Sequence, residues 1–373
     1  MMKLTHLGSL SAARFLREFW QKKPLLVRNA FPGFAGLLTP AALKRLACRD
    51  DVESRLVRCE RNSWRLDHGP FSARQWRELP THNWTVLVQG LNHFLPEATA
   101  LLQHFDFVPH ARIDDLMVSY AVDGGGVGPH FDSYDVFLLQ GLGQRRWQIS
   151  AQQDRELIPG APLRILKRFV SEQEWLLEPG DMLYLPPHYA HFGVAVGECM
   201  TYSVGFRAPS MQELGTQFLI YLQDNIQLEG MYQDPDLKAQ RHPGEIGDAM
   251  VRQVVKAMRK IHWSRSQIES FLGCYLSEPK PHVFFVPPSA PLSATVFWRE
   301  AAKRGVRLDP KSRMLFRANT FYLNGEQVEL PNADLDLLTR LADLRAARPT
   351  RAASAQTKDL LYQWYICGYI GLE

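Results

Sequence analysis

Apolar and polar positions along the chain change rhythm three times. From residue 10 to about 105 the pattern is mixed: "SLSAARFLREFWQKK" has helical spacing, with Ser11 as a cap and a stop near Pro24, and "LLV" (Leu25 to Val27) reads as a short strand. From Leu116 to Arg207 the texture becomes β-rich, in runs broken by Gly and Pro: "LMVSYAV", "DVFLLQG", "RRWQIS", "DMLYLPP", "MTYSVGF". Many short strands without intervening helical spacing predict an antiparallel double-sheet barrel of the jelly-roll kind. From Met211 to about Leu276 apolar residues recur every three to four positions, which predicts a mostly helical segment suited equally to packing on a second copy or to an intrachain core. After the proline-rich "SEPKPHVFFVPPSAP", the tail predicts a helix over 295–305, a hairpin at Asn324 and Gly325 in "FYLNGEQVEL", and helices in "ADLDLLTRLADLR" and "TKDLLYQWYICGYIGLE". Helices with a two-stranded wing give a winged-helix-like module.

The expected class is therefore α+β: a double-stranded β-helix (jelly-roll or cupin) domain over 1–209 with its core at about 95–209, a helical dimerisation segment over 210–278, and a winged-helix-like domain over 279–373. A chain of 373 residues exceeds a single compact core, in keeping with this division.

Charge and cysteine content narrow the function. The net charge of +4 is too small to argue nucleic-acid binding by itself, and the tail from Pro291 carries twelve basic against nine acidic residues, so direct DNA binding is not expected. The five cysteines stand singly with no CxxC pair, which points to a reducing, cytoplasmic setting. The first twenty residues lack a signal-peptide core, and no apolar run is long enough to span a bilayer.

The candidate chemistry begins at "GPHFDSYDVFLLQG". His130 and Asp132, two apart in an extended segment, project to the same face. Two histidines and one carboxylate on one face of a metal leave the other face open for substrate and dioxygen, as in non-haem Fe(II) oxygenases. The third ligand is sought in "LEPGDMLYLPPHYAHFGVAV", 61 residues downstream of His130. His191 is preferred over His188, because it begins an apolar run while His188 sits in the Pro-Pro turn. The return strand would carry it to the far rim of the barrel, facing the first pair.

In "GQRRWQIS", Arg145 alternates with Trp147 and Ile149, so it shares the apolar, inward face, where a buried guanidinium needs an anion. Its fork suits the distal carboxylate of 2-oxoglutarate. Ser119 is a second, hydroxyl candidate for that carboxylate. Asp114, Asp115, Tyr134 and Asp135 place acidic and aromatic groups near the mouth, in keeping with a cationic substrate side chain.

These runs, with "FWQKKPLLVRNAF" and "YSVGFRAPS", resemble the JmjC family of 2-oxoglutarate and Fe(II) oxygenases, and within it the ribosomal oxygenases. The resemblance extends over nearly the whole chain, including a helical dimerisation segment and a C-terminal winged helix. It implies that His130, Asp132 and His191 bind iron, that Arg145 and Ser119 hold 2-oxoglutarate, and that dioxygen is consumed. Arg145 stands where many JmjC demethylases have lysine, which favours the ribosomal branch. The implied reaction is β-carbon hydroxylation of an arginine in a ribosomal protein of the large subunit, by a homodimer. The alternatives are a ribosomal protein histidine hydroxylase, a metal cupin enzyme that does not use 2-oxoglutarate, and a noncatalytic scaffold.

Overall fold

The structure is a computed structural model, and it describes residues 7–61, 63–328, 334–350 and 352–373. The end of the "FYLNGEQVEL" run (residues 329 and 330) and the first residue of "ADLDLLTRLADLR" (333) lie outside the described residues.

The N-terminal region adds four strands to the sheet of a barrel and packs helices on it. It comprises α1 (Ala12–Glu18), β1 (Leu25–Val27), α2 (Pro40–Leu46), β2 (Ser54–Glu60), β3 (Ser63–His68), α3 (Ala73–Arg77), β4 (Trp84–Val88) and α4 (Pro96–Gln103). The Ser11 side chain accepts from Arg14 N–H, so the expected cap is present. The helix nevertheless stops at Glu18, short of Pro24, and Gln21 turns at φ 56°. Phe15 of α1 is fully buried against Tyr184 (ring centroids 4.9 Å) and Phe137 (5.5 Å).

The barrel strands are β5 (Ile113–Ala121), β6 (His130–Phe131), β7 (Val136–Ser150), β8 (Gln173–Leu177), β9 (Met182–Leu185) and β10 (Ala190–Phe206). They join one ten-stranded sheet in the order β1-β9-β7-β10-β5-β4-β2-β3, with β6 added to β10 and β8 to β7. The jelly-roll class read from the pattern is the observed one. Two of its details differ. "DVFLLQG" and "RRWQIS" are halves of the single strand β7, and "HFGVAV" and "MTYSVGF" are halves of β10. Each strand bends where glycine permits it, at Gly143 (φ 58°) and Gly197 (φ 69°). A side chain at Gly143 would bring Cβ to 1.9 Å from the Glu198 carbonyl, so only glycine lets the two strands cross there.

The bend also sets which residues face inward. In the first half of β7, Val136 and Leu138 point into the barrel with Trp147 and Leu183, while Phe137 and Leu139 point out to the layer of α1. Both faces are buried, hence the continuous apolar run. Between the β10 partners Met200 and Thr201, β7 advances from Leu142 to Gln140, so Gly141 is an extra residue. One extra residue inverts the alternation, and beyond it the odd-numbered Arg145, Trp147 and Ile149 face inward.

Beyond the barrel lie α5 (Met211–Asn225), α6 (Asp248–Met258) and α7 (Arg265–Ser277). Residues 226–247 form no helix, contrary to the mostly helical expectation; Gly230, Pro235, Pro243, Gly244 and Gly247 interrupt any run long enough to nucleate one. The C-terminal region contains α8 (Ala294–Arg304), β11 (Val306–Leu308), β12 (Met314–Arg317), β13 (Thr320–Leu323), β14 (Glu326–Val328), α9 (Leu335–Leu344), β15 (Ala346–Ala347), α10 (Ala355–Ile366) and β16 (Ile370–Leu372). The wing is three-stranded, β12-β13-β14, and its turn has Asn324 at φ 51° and Gly325 at φ 92°, as a two-residue hairpin requires. The last segment, expected as helix, ends as strand β16 because Gly368 (φ 76°) reverses the chain after α10. Among the described residues no helix is long and apolar enough to cross a membrane, and no disulfide joins the cysteines.

Candidate metal centre and its cavity

His130 and His191 arrive as neighbours. The two-residue β6 pairs with the start of β10, and His191 is the direct antiparallel partner of His130. The return strand thus brings His191 beside the first pair instead of across the barrel from it. Gly128, at φ 80°, lets the chain enter β6: a Cβ there would sit 3.1 Å from Trp64 and 3.2 Å from Ile165. Asp132 follows as the chain leaves β6, and its carbonyl accepts from the backbone N–H of His188 (2.8 Å). His188 itself is exposed in the turn at φ 67°, so it braces Asp132 by its backbone only.

The ligand atoms of His130, Asp132 and His191 lie within 4.8 Å of one another, the one such group found among the described residues. Nδ1 of His130 is 2.9 Å from the Gly128 carbonyl, and Nδ1 of His191 is 3.0 Å from the Tyr189 carbonyl. A carbonyl only accepts, so each Nδ1 is the protonated nitrogen and each Nε2 turns its lone pair inward. Those Nε2 atoms stand 3.8 Å and 3.5 Å from the two oxygens of Asp132. Lone pairs converging on a carboxylate repel unless a proton or a metal cation lies between them. This donor set fits a divalent metal, with the backbone carbonyls fixing both rings from behind.

The electrostatics agree. Burial and the adjacent His191 hold His130 far below the ordinary imidazole range, at about 4. Burial works against ionisation of Asp132, but the hydrogen bond and charge of His191, with His130 and Tyr134, outweigh it and bring Asp132 to about 2. Burial also opposes charge on His191, and the facing Asp132 overcomes it, so this imidazole is shifted upward.

A cavity of about 470 Å³ opens from this centre into the barrel and is lined by Arg145, Ser119, Trp147, Leu138 and Thr85, among others. Arg145 is 6% exposed, and Nη1 donates to Ser119 Oγ at 3.3 Å. Its Nε and Nη2 are buried without a partner. No carboxylate of the chain pairs with this guanidinium among the described residues, so a buried cation is left with two donors to be met by an anion. Arg146 points the other way and pairs with Glu174 at 3.4 Å on the surface. The indole N–H of Trp147, also buried and unpartnered, lines the same space.

At the mouth, Asp114, Asp115 and Tyr134 line the cavity as expected, but Asp135 does not. Asp135 is fully buried behind the barrel, accepting from Tyr184 Oη (2.6 Å) and Gln21 Nε2 (2.9 Å) and facing Arg112 (3.4 Å). Tyr134 and Asp135 lie in the bend between β6 and β7, and the change of chain direction there sends the adjacent side chains into separate environments. Pattern reading missed Lys280, whose ammonium from the proline-rich linker reaches Asp114 (3.2 Å) and Asp115 (3.5 Å). A lysine 165 residues away carries no local signal of such a contact.

A family model described as a JmjC domain matches residues 100–214, and one described as a ROXA-like winged helix matches residues 259–370. Ribosomal protein uL16 3-hydroxylase of Escherichia coli (strain K12) is 35% identical over 322 residues, covering 85% of each chain. A probable ribosomal oxygenase of Haemophilus influenzae is 41% identical over 229 residues, 60% of this chain and 54% of that protein. Among solved structures, the ribosomal oxygenase YcfD of E. coli in complex with cobalt and 2-oxoglutarate superposes with a TM-score of 0.82 at 32% identity, over 98% of this chain and 99% of that one. The similarity spans barrel, helical segment and winged helix alike, and the chain belongs to the JmjC-domain ribosomal oxygenases.

Proposed function

We propose that the protein is a 2-oxoglutarate- and Fe(II)-dependent dioxygenase that hydroxylates the β-carbon of an arginine in the large-subunit ribosomal protein uL16. The observation that carries this reading is the pairing, within one cavity, of the His130, Asp132 and His191 cluster with the unsatisfied guanidinium of Arg145. Similarity to a uL16 3-hydroxylase and to a ribosomal oxygenase holding cobalt and 2-oxoglutarate supports it.

In this reading His130, Asp132 and His191 would hold the iron. When bound, the iron with 2-oxoglutarate and dioxygen supplies the oxidation, the ketoacid leaving as succinate and carbon dioxide. Arg145 and Ser119 anchor the distal carboxylate of the ketoacid, a charge-assisted contact that orients its other end toward the metal. Leu138, Val136 and Trp147 wall this space with apolar surface and keep water from the reacting carbon. Asp114 and Asp115 outnumber Lys280, which reaches both, and Tyr134 adds an aromatic group, a setting for a guanidinium. That acidic pair favours arginine over histidine, whose neutral ring gains less from it.

The enzyme is proposed to act in the cytoplasm as a homodimer, divided at 1–209, 210–278 and 279–373. The middle unit supports dimerisation: Met250, Val251, Val254, Val255 and Met258 form one stripe of α6, each 42–48% exposed. Incubation with Fe(II), 2-oxoglutarate and uL16 should add one oxygen mass to a single arginine, with succinate released in step. Succinate release with the added oxygen on histidine would select the alternative hydroxylase, and no mass change with metal-loaded protein would defeat the reading.

A further inference from the structure

Two arms flank the cavity mouth, the hairpin of β2 and β3 (residues 54–68) and the long connection between β7 and β8 (residues 151–172). They meet over Gly128, where Trp64 of the hairpin and Ile165 of the connection both close on the same backbone, and Leu166 N–H is tied to the Pro129 carbonyl at 2.8 Å. Arg55, His68 and Arg164 from these arms line the cavity itself. Together the arms hold eight Arg and Lys against five Asp and Glu, a local excess of three positive charges around the opening.

Internal pairing does not consume that charge. Arg58 is matched to Asp67 (2.7 Å) and Lys167 to Glu156 (2.6 Å). Arg61, Arg65, Arg155, Arg164 and Arg168 are exposed and form no ion pair among the described residues. Aromatic surface is interleaved with them: Trp64 stands between Arg61 and Arg65, and Arg155 lies over the Phe131 ring at 5.4 Å. Guanidinium groups beside half-exposed rings provide phosphate contacts and a stacking platform for unpaired bases.

We infer that this rim binds the phosphate backbone of RNA, so that the protein substrate is presented in an RNA-associated form. The inference rests on the ribosomal-protein reading of the same site. A protein that lives on RNA is itself basic, and a cationic rim repels it at a distance unless a polyanion lies between the two. The acidic pair within the cavity then takes the single side chain that enters, while the rim holds the RNA beside it.

The test uses the full chain and a fluorescein-labelled hairpin RNA with a single-stranded loop, followed by anisotropy across a salt series. Wild type should bind, with a logarithmic salt slope that falls by about 1 for each phosphate contact removed. The double variant R65E/R168E, both positions outside the iron and 2-oxoglutarate machinery, should weaken RNA binding about tenfold or more. It should hydroxylate a short uL16 peptide as wild type does, yet lose about tenfold in rate on RNA-associated uL16. Unchanged affinity and slope in the variant overturn the inference, as does displacement of the RNA by an acidic peptide at equal charge concentration. If wild type leaves the short peptide unmodified, the hydroxylase reading fails, while the RNA-binding measurement still decides the rim.

Discussion

His130 and His191 face each other as antiparallel cross-strand partners, their ring centroids 4.1 Å apart, and each has its Nδ1 directed at a backbone carbonyl. The two lone pairs thus converge because of strand register and not because of a flexible loop. A binding site fixed by register is preorganised, and ligand-by-ligand substitution should be unforgiving.

Replacing His130, Asp132 or His191 with Ala should abolish stoichiometric metal binding, measured by calorimetry with Mn(II) or Co(II), and lower succinate release by at least about a hundredfold. Retained metal affinity in Asp132→Ala would place the ligand elsewhere.

Arg145→Met should separate stability from function. It removes a buried guanidinium with two unmatched donors, so the ligand-free protein should melt at a higher temperature than wild type. Stabilisation by added 2-oxoglutarate should disappear, and the KM for 2-oxoglutarate should rise by about two orders of magnitude. Arg145→Lys should recover part of that loss, because an ammonium keeps the charge but not the fork.

Asp114→Asn with Asp115→Asn should raise the KM for the arginine substrate while leaving that for 2-oxoglutarate close to wild type. Asp115 also accepts from Gln89 Nε2 and the Gly90 N–H, so circular dichroism and thermal melting should accompany the kinetics. Equal changes in both KM values would assign the pair a structural role.

His93 makes stability depend on pH. Burial, with Lys280, Arg313 and Lys311 nearby, holds its pKa at about 4 against the ordinary 6.5. The unfolded chain then binds a proton that the folded one refuses, so stability falls as pH drops from about 6.5 toward 4 and levels off below. The loss should be about 2 kcal/mol, allowing for partial exposure. In His93→Gln the urea midpoint should vary less over this range; an unchanged profile would refute the assignment.

Val251→Glu with Val254→Glu, on the exposed stripe of α6, should yield monomers by analytical ultracentrifugation under conditions where wild type sediments as a dimer. The charges would sit on the apolar face of that helix.

Much of the site is legible in local pattern. The HxD pair, the apolar run that begins at His191 and the alternation of Arg145 with Trp147 and Ile149 are all short-range features, and a two-residue period fixes which side chains share a face. The same reasoning fails wherever the period breaks or partners are remote. Asp135 follows Tyr134 into a separate environment, and residues 226–247 lose the helix that their neighbours keep. Lys280 reaches the cavity mouth from a linker whose sequence says only that the chain turns.

By itself the sequence determined the strand and helix content, the jelly-roll class and the residue types at the centre, since these follow from periodicity, capping and turn chemistry within a few residues. Only the tertiary structure decided that His191 lies beside His130 and that Gly141 is the extra residue between the two halves of β7. It also showed that two basic arms close on one mouth. Register between distant strands is set by packing over the whole barrel, and no local window of the chain contains it.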